Sequence, residues 1–394
     1  LASVLRSLQA YKNAFTHPID SRYDIVLLGG ALGSLFSFLQ ALASPVIGAL
    51  SDKYGRRRAL LVSMCGNILS VLLWLLATDF RTFLLSRIVG GLSEGNVQIA
   101  TAIAADISDE SQRGGTMALV GACFCIAFTF GPALGAWLSS IPLVASNPFA
   151  TAAGFSLFLV VVETLYLYVA LPETLPSMTK ASSISATAKK PAPAPPTTRT
   201  NSHLVLNTTH FLFILIFSGM EFSLPFMTHS LFSFSASQNG RLLGYMGLIA
   251  SLLQGGLTRR ISPLLAVRLG VVSCLAAFAL LSTITTTSGL YVVATLLAIT
   301  TATVVTGLNS LSSFEAAEDE RGVKLGGLRS WGQVGRAIGP VSFCTLYWWA
   351  GRERAYQCGT GAMVLVATFA FLGLRGPRKT VQTVKSTAGR VKKL

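Results

Sequence analysis

The chain has 394 residues, of which 52% are hydrophobic and only 12% charged, and its mean hydropathy is +0.60. That is too little charge to coat a soluble globule of this length, which excludes a soluble enzyme and makes the bilayer the solvent. The net charge of +15 raises nucleic acid as a partner, but the basic residues fall in short bursts between apolar runs, the pattern of a membrane topology signal.

Taken in chain order, residues 1–23 are polar and mixed, with Arg6, Lys12, His17 and Arg22 and no signal-peptide core, and they read as a non-cytoplasmic loop. Apolar runs then recur at 24–50, 58–78, 82–105, 114–138, 149–171, 205–229, 240–257, 264–283, 287–311, 325–348 and 356–374. Each approaches the roughly 20 residues a helix needs to cross about 30 Å of hydrocarbon. The chain is therefore expected to be an all-α membrane protein with about eleven transmembrane helices, in an N-terminal bundle at 24–171 and a C-terminal bundle at 204–374. Residues 172–203, with the run SSISATAKKPAPAPPTT, carry too little apolar surface to fold and read as a cytoplasmic disordered linker. Residues 375–394 read as a basic cytoplasmic tail.

Sorting alternate loops to two sides puts 22 Lys and Arg residues on one and 7 on the other, which makes the richer side cytoplasmic. An internal repeat supports the two halves. DESQRGGTMALVGACFCIAFTFGPALGAW at 109–137 echoes DERGVKLGGLRSWGQVGRAIGPVSF at 319–343, each running from an acidic pair through Arg-Gly into a helix that holds Gly-Pro. Parallel half-repeats place a transporter's substrate site between the halves near the bilayer midplane.

Three local patterns carry chemistry. At 44–61, SPVIGALSDKYGRRRALL holds Gly48, Asp52, Gly55, Arg56 and Arg57 between two helices; it reads as a close helix junction, with Asp52 able to pair with basic groups and Gly55 making a sharp turn, or as a basic loop that only fixes topology. In the next helix Arg87, Gly91, Glu94 and Gln98 form one polar stripe. An intramembrane charge costs about 2.5–3.5 kcal/mol on insertion scales, so the stripe is expected to face a cavity, unless Arg87 and Glu94 merely neutralise each other. Gly121, Ala127, Gly131, Pro132 and Gly135 lie in the helix after that, and small residues at every fourth position suit close packing.

In the second half Glu221 lies inside an apolar helix one turn before Pro225, and Arg329, Gln333 and Arg336 line another. Arg329 is expected to snorkel to the interface. Arg336 is deeper, facing a substrate carboxylate, a protein carbonyl or Glu221. Glu173, in LPETLP at 171–176, reads as a solvated interfacial residue, and Asp106, Asp109, Glu110 and Arg113 as a charge network or ordinary capping at a helix end.

The G-x-x-x-D-x-x-G-R-R run, the Arg87 helix, the Gly-Pro helix and LRSWGQVGRAIGP together resemble the major facilitator superfamily, in its tetracycline-transporter-like branch. The resemblance covers residues 20–375 and implies twelve helices, the first of them preceding this chain. It implies a conformational latch for Gly48, Asp52, Gly55, Arg56 and Arg57, and an antiporter or exporter role for the Gly-Pro helix, loosened by Ala127 where the family favours glycine.

The expected function is secondary active transport of small organic molecules, organic anions or drug-like amphipaths, by alternating access with proton coupling. Arg87, Glu94, Gln98, Glu221 and Arg336 are the expected cavity residues, with Glu221 as proton carrier. The alternative is a receptor or scaffold that keeps a transporter fold without transporting. The expected partners are the substrate, protons and the lipid bilayer, for a monomeric multi-pass protein of the plasma membrane or an endomembrane. Six cysteines in or beside the apolar runs read as free thiols, and four scattered histidines give no metal site; no nucleotide loop or other cofactor motif is present.

Overall fold

The computed structural model describes residues 2–14, 24–141, 147, 149–175 and 200–377, and every described element is helical. The first expected loop contains a short helix, α1 (Ala2–Asn13). Its Ala, Leu, Gln and Lys residues are good helix formers, and the proline that ends the pattern comes only at Pro18. Residues 15–23 lie outside the described residues.

The first group of membrane helices is α2 (Asp24–Tyr54), α3 (Arg56–Leu75), α4 (Phe80–Ser93), α5 (Asn96–Asp106), α6 (Arg113–Ser139) and α7 (Ala150–Ala170). The second is α8 (His203–Phe232), α9 (Ala236–Gly256), α10 (Pro263–Thr283), α11 (Thr287–Glu315), α12 (Arg321–Ala350) and α13 (Arg352–Thr368), which a single π turn, Phe369–Gly373, extends. Among the described residues eight helices are long and apolar enough to cross a membrane. The expected span at 82–105 falls outside that set because it is split into two short helices, and those at 240–257 and 325–348 because glycines and polar side chains dilute them.

Two seams join the groups, α2 against α12 and α6 against α9. The first is a backbone crossing. A Cβ built at Gly48 would overlap the carbonyl oxygen of Gly322, one at Gly322 would lie 2.5 Å from the carbonyl oxygen of Gly48, and one at Gly326 would lie 2.5 Å from that of Ser44. Gly48→Val is therefore expected to prevent this seam from closing, so that hydrogen–deuterium exchange over residues 318–330 rises severalfold in the purified protein; exchange as slow as in wild type would contradict it.

The second group holds the larger core. Phe213, Met220, Phe278, Leu297 and Tyr356 are all buried in one cluster, whereas the first group's main cluster rests on Leu60, Met64 and Ile99.

The expected continuous helix at 82–105 is broken. α4 ends at Ser93, Glu94 leaves helical geometry with ψ 83°, and α5 starts after Gly95. Ser63 on α3 holds the break: its hydroxyl donates to the Ser93 carbonyl and accepts from the Gly95 N–H at 2.8 Å. Ser-Glu-Gly-Asn is weak helix sequence, and one hydroxyl bonds both the Ser93 carbonyl and the Gly95 N–H, which also bond each other at 2.9 Å.

Candidate transport pathway and gate

Asp52 sits in the last turn of α2 and caps the start of α12. Its Oδ1 accepts the Gly322 N–H at 2.8 Å and its Oδ2 the Val323 N–H at 2.7 Å. A carboxylate at a helix N-terminus satisfies orphan donors and meets the positive end of the dipole. The same Oδ1 pairs with Arg56 Nη1 at 2.5 Å.

Asp106, at the end of α5, is the hub of this charge cluster. Its Oδ2 takes Arg56 Nε and its Oδ1 takes Arg321 Nη1, each at 2.8 Å, and the Asp106 and Arg56 side chains are fully buried. Helix α3 begins at Gly55, whose φ of 99° is the left-handed geometry glycine favours. Glu173 is not solvated as expected: it accepts the N–H groups of Arg56 at 2.8 Å and Arg57 at 3.2 Å, with those of Thr174 and Leu175. This carboxylate caps α3, so residues 172–175 are ordered by it; the linker's residues 176–199 lie outside the described residues.

Further along the seam, Pro45 has no N–H to offer the Ala41 carbonyl, and Ser330 of α12 donates its hydroxyl there at 2.6 Å. Gln98, 4% exposed, donates to the Ser44 carbonyl at 2.7 Å, tying α5 to α2.

The membrane-embedded charges pair across and within the halves. Arg329 does not snorkel: its Nη2 reaches Glu94 of the first group at 3.8 Å, drawn by the carboxylate that the break in the helix frees. Arg336 pairs with Glu221 at 3.7 Å, with 45% and 34% of the two side chains exposed. Arg87 differs. Its guanidinium lies over the rings of Phe36, Trp74 and Phe83 at 5.3, 5.9 and 5.7 Å, and its Nε is buried without a hydrogen-bond partner among the described residues. The polar stripe thus splits into three environments.

The small-residue face of α6 is also rotated from the expected one. Gly121 touches Gln254 and Thr306, Cys125 clusters with Ala250, Ala298 and Ala302, and Thr129 meets Gly247. A methyl at Gly131 or Gly135 would meet no heavy atom within 4 Å, and Ala127 is exposed. Two stripes of small residues are available on this helix, and α9 takes the other one. Pro132 lies within α6, with its side chain outside the described residues.

An all-helical chain with two half-repeats meeting at a charged latch is the architecture of a membrane transporter, and known proteins agree. The family model for the Major Facilitator Superfamily matches residues 25–340. Major facilitator superfamily domain-containing protein 10 of Mus musculus is 33% identical over 95% of this chain and 85% of its own length. The class C tetracycline resistance protein of Escherichia coli is 36% identical over 32% of this chain and 31% of its own. The crystal structure of the human organic anion transporter MFSD10 (TETRAN) superposes with a TM-score of 0.84 at 32% identity, covering 94% of this chain and 89% of that one. The chain belongs to the major facilitator superfamily, and it is an integral multi-pass membrane transporter, not an enzyme.

Asp106 belongs to the charge network expected at this helix end, but its distant partners, Arg56 and Arg321, are not visible in the local sequence.

Proposed function

We propose that this protein is a secondary active transporter of small organic anions or drug-like amphipaths that rocks its two helix groups about a central site and couples transport to protons. The gate at Asp52 is cytoplasmic in this reading, since Lys53, Arg56, Arg57 and Arg58 cluster there. Arg87, Glu94, Gln98, Glu221 and Arg336 line the route in this reading, with Gln98 also tying α5 to α2 through the Ser44 carbonyl.

The observation that carries the reading is the unequal treatment of three membrane arginines. Arg329 and Arg336 lie 3.8 and 3.7 Å from a carboxylate, while Arg87 lies among three aromatic rings and is attracted by Glu94; its Nε, like that of Arg329, is buried without a hydrogen-bond partner among the described residues. A desolvated guanidinium faced by aromatic surfaces suits an anion with an apolar body. The major facilitator relative described as an organic anion transporter supports the substrate class.

The test is flux of labelled organic anions in proteoliposomes under an imposed pH gradient. Gradient-dependent flux is expected; binding without flux would favour a receptor instead. Arg87→Gln is expected to raise KM roughly tenfold or more, because a hydrogen bond to a charged group contributes about 1.5–3 kcal/mol. An unchanged KM would remove Arg87 from the site.

A further inference from the structure

One end of the second group carries basic charge that the transport route does not use. Arg259 and Arg260 lie in the short turn between α9 and α10, Thr258–Arg260, and both are exposed. Arg375 follows the π turn that ends α13 and is exposed as well. None of the three forms an ion pair among the described residues. After Pro377 the sequence continues to Leu394 with Arg378, Lys379, Lys385, Arg390, Lys392 and Lys393 and no acid.

Packing brings the arginine turn and the end of α13 to one place. Arg268 on α10 lies over the Phe371 ring with its Cζ 5.0 Å from the centroid. It donates to the carbonyls of Ala370, Phe371 and Leu374 at 3.3, 3.0 and 3.4 Å, a cation meeting the orphan carbonyls of a helix end. One turn earlier on α10, Leu264 Cδ2 lies 3.9 Å from where a Cβ of Gly376 would stand. Asn201 holds Arg375 from the other side: its Oδ1 accepts the Arg375 N–H at 2.7 Å and its Nδ2 donates to the Arg375 carbonyl at 2.9 Å. Buried Glu315 fixes Asn201 in turn, accepting its N–H at 2.9 Å and its Nδ2 at 2.7 Å. The Arg375 backbone is clamped beside the first turn of α10, and its side chain is left exposed.

Next to these arginines the surface is apolar. Leu265 and Leu269 on α10 are 53% and 37% exposed, and Phe371 and Leu372 at the end of α13 are 45% and 80% exposed. Exposed apolar side chains that run up to guanidinium groups without acids match a membrane interface, where hydrocarbon gives way to headgroups. Nucleic acid or an acidic peptide would use the arginines and leave the leucines in water.

We propose that Arg259, Arg260 and Arg375 bind the phosphate headgroup of an anionic glycerophospholipid, whose acyl chain lies along Leu265, Leu269 and Phe371. Guanidinium forks suit phosphate oxygens, and basic residues beside a membrane helix attract an anionic leaflet. The basic residues after Pro377 add attraction of the same sign. The site is separate from the transport route, and its test needs no transported substrate.

The test is photo-crosslinking of the full chain in phosphatidylcholine nanodiscs doped with phosphatidylserine that carries a diazirine in its acyl chain, beside the same label on phosphatidylcholine. Crosslinks are counted by mass spectrometry on peptides over residues 261–275 and 365–377. The serine lipid is expected to label them about fivefold more than the choline lipid at low ionic strength, and its excess should fall by at least half near roughly 0.5 M sodium chloride. The triple variant Arg259→Gln, Arg260→Gln, Arg375→Gln should label at the choline level, whereas lysine at the same three positions should keep most of the excess. Lys53→Gln with Arg58→Gln, exposed charges of the first group, should change nothing. Equal labelling by the two lipids in the wild type, or an equal loss in the first-group variant, would overturn the proposal. Inorganic phosphate that displaces the serine lipid more than chloride of equal ionic strength would assign the patch to a free anion and overturn it too.

Discussion

Asp106→Ala is expected to destabilise the protein by about 3–5 kcal/mol, the range for removing one partner of a buried ion pair. The carboxylate neutralises two guanidinium groups at once, Arg56 and Arg321, each at 2.8 Å, with Asp106 and Arg56 at zero side-chain exposure and Arg321 at 7%. Alanine would leave Arg321 buried without its Asp106 partner, while Arg56 keeps Asp52 at 2.5 Å. The penalty should therefore come chiefly from Arg321. That apportioning is checkable: the double variant Asp106→Leu with Arg321→Met should recover most of the loss, since apolar replacement of a whole buried pair is often neutral or favourable. Thermal unfolding of purified protein in detergent measures both. A single variant as stable as wild type would mean that water reaches this cluster and supports the stranded charge.

Much of the gate is legible in the amino-acid sequence, because its parts are local. Gly48, Asp52, Gly55 and Arg56 lie within nine residues, and a carboxylate one turn before a glycine-broken helix junction has few other uses. The partners of that carboxylate are not legible there. Asp52 caps a helix that starts at residue 321, and nothing in either segment's composition names the other. The same holds for Glu173: its distance from Arg56 along the chain hides that it caps α3. On α6 the difficulty is degeneracy, since 121, 125 and 129 and also 127, 131 and 135 offer small residues at helical spacing. Only the approach of Gly247 and Ala250 on α9 selects the first set. The break at Glu94–Gly95 is within reach of sequence reasoning, as a Ser-Glu-Gly-Asn run inside an apolar span is a poor helix and Ser63 lies on the neighbouring helix.

Glu221→Gln is expected to abolish uphill accumulation of the anion while leaving its downhill movement intact. Pro225 lacks the N–H that would have bonded the Glu221 carbonyl, so α8 is locally weakened at the acid itself. The acid faces Arg336 at 3.7 Å, with both side chains partly exposed. Ionised Glu221 occupies Arg336, and protonated Glu221 releases it. In the proposed cycle an organic anion competes with the carboxylate for this guanidinium, and a proton on Glu221 favours the anion's binding. Competition of this kind moves proton and anion in the same direction, unlike the exchange that the Gly-Pro helix of α6 implies by its resemblance. In wild-type vesicles, lowering pH on the donor side should speed uptake, and one pH unit should support at most roughly tenfold accumulation per proton carried, about 1.4 kcal/mol. Glutamine cannot ionise, so Arg336 stays available at every pH: uptake should lose its pH dependence, KM should fall at high pH, and accumulation should stop at equal concentrations inside and out. Accumulation that survives in Glu221→Gln would assign the proton to another acid, with Glu94, the partner of Arg329 across the seam, the next to replace.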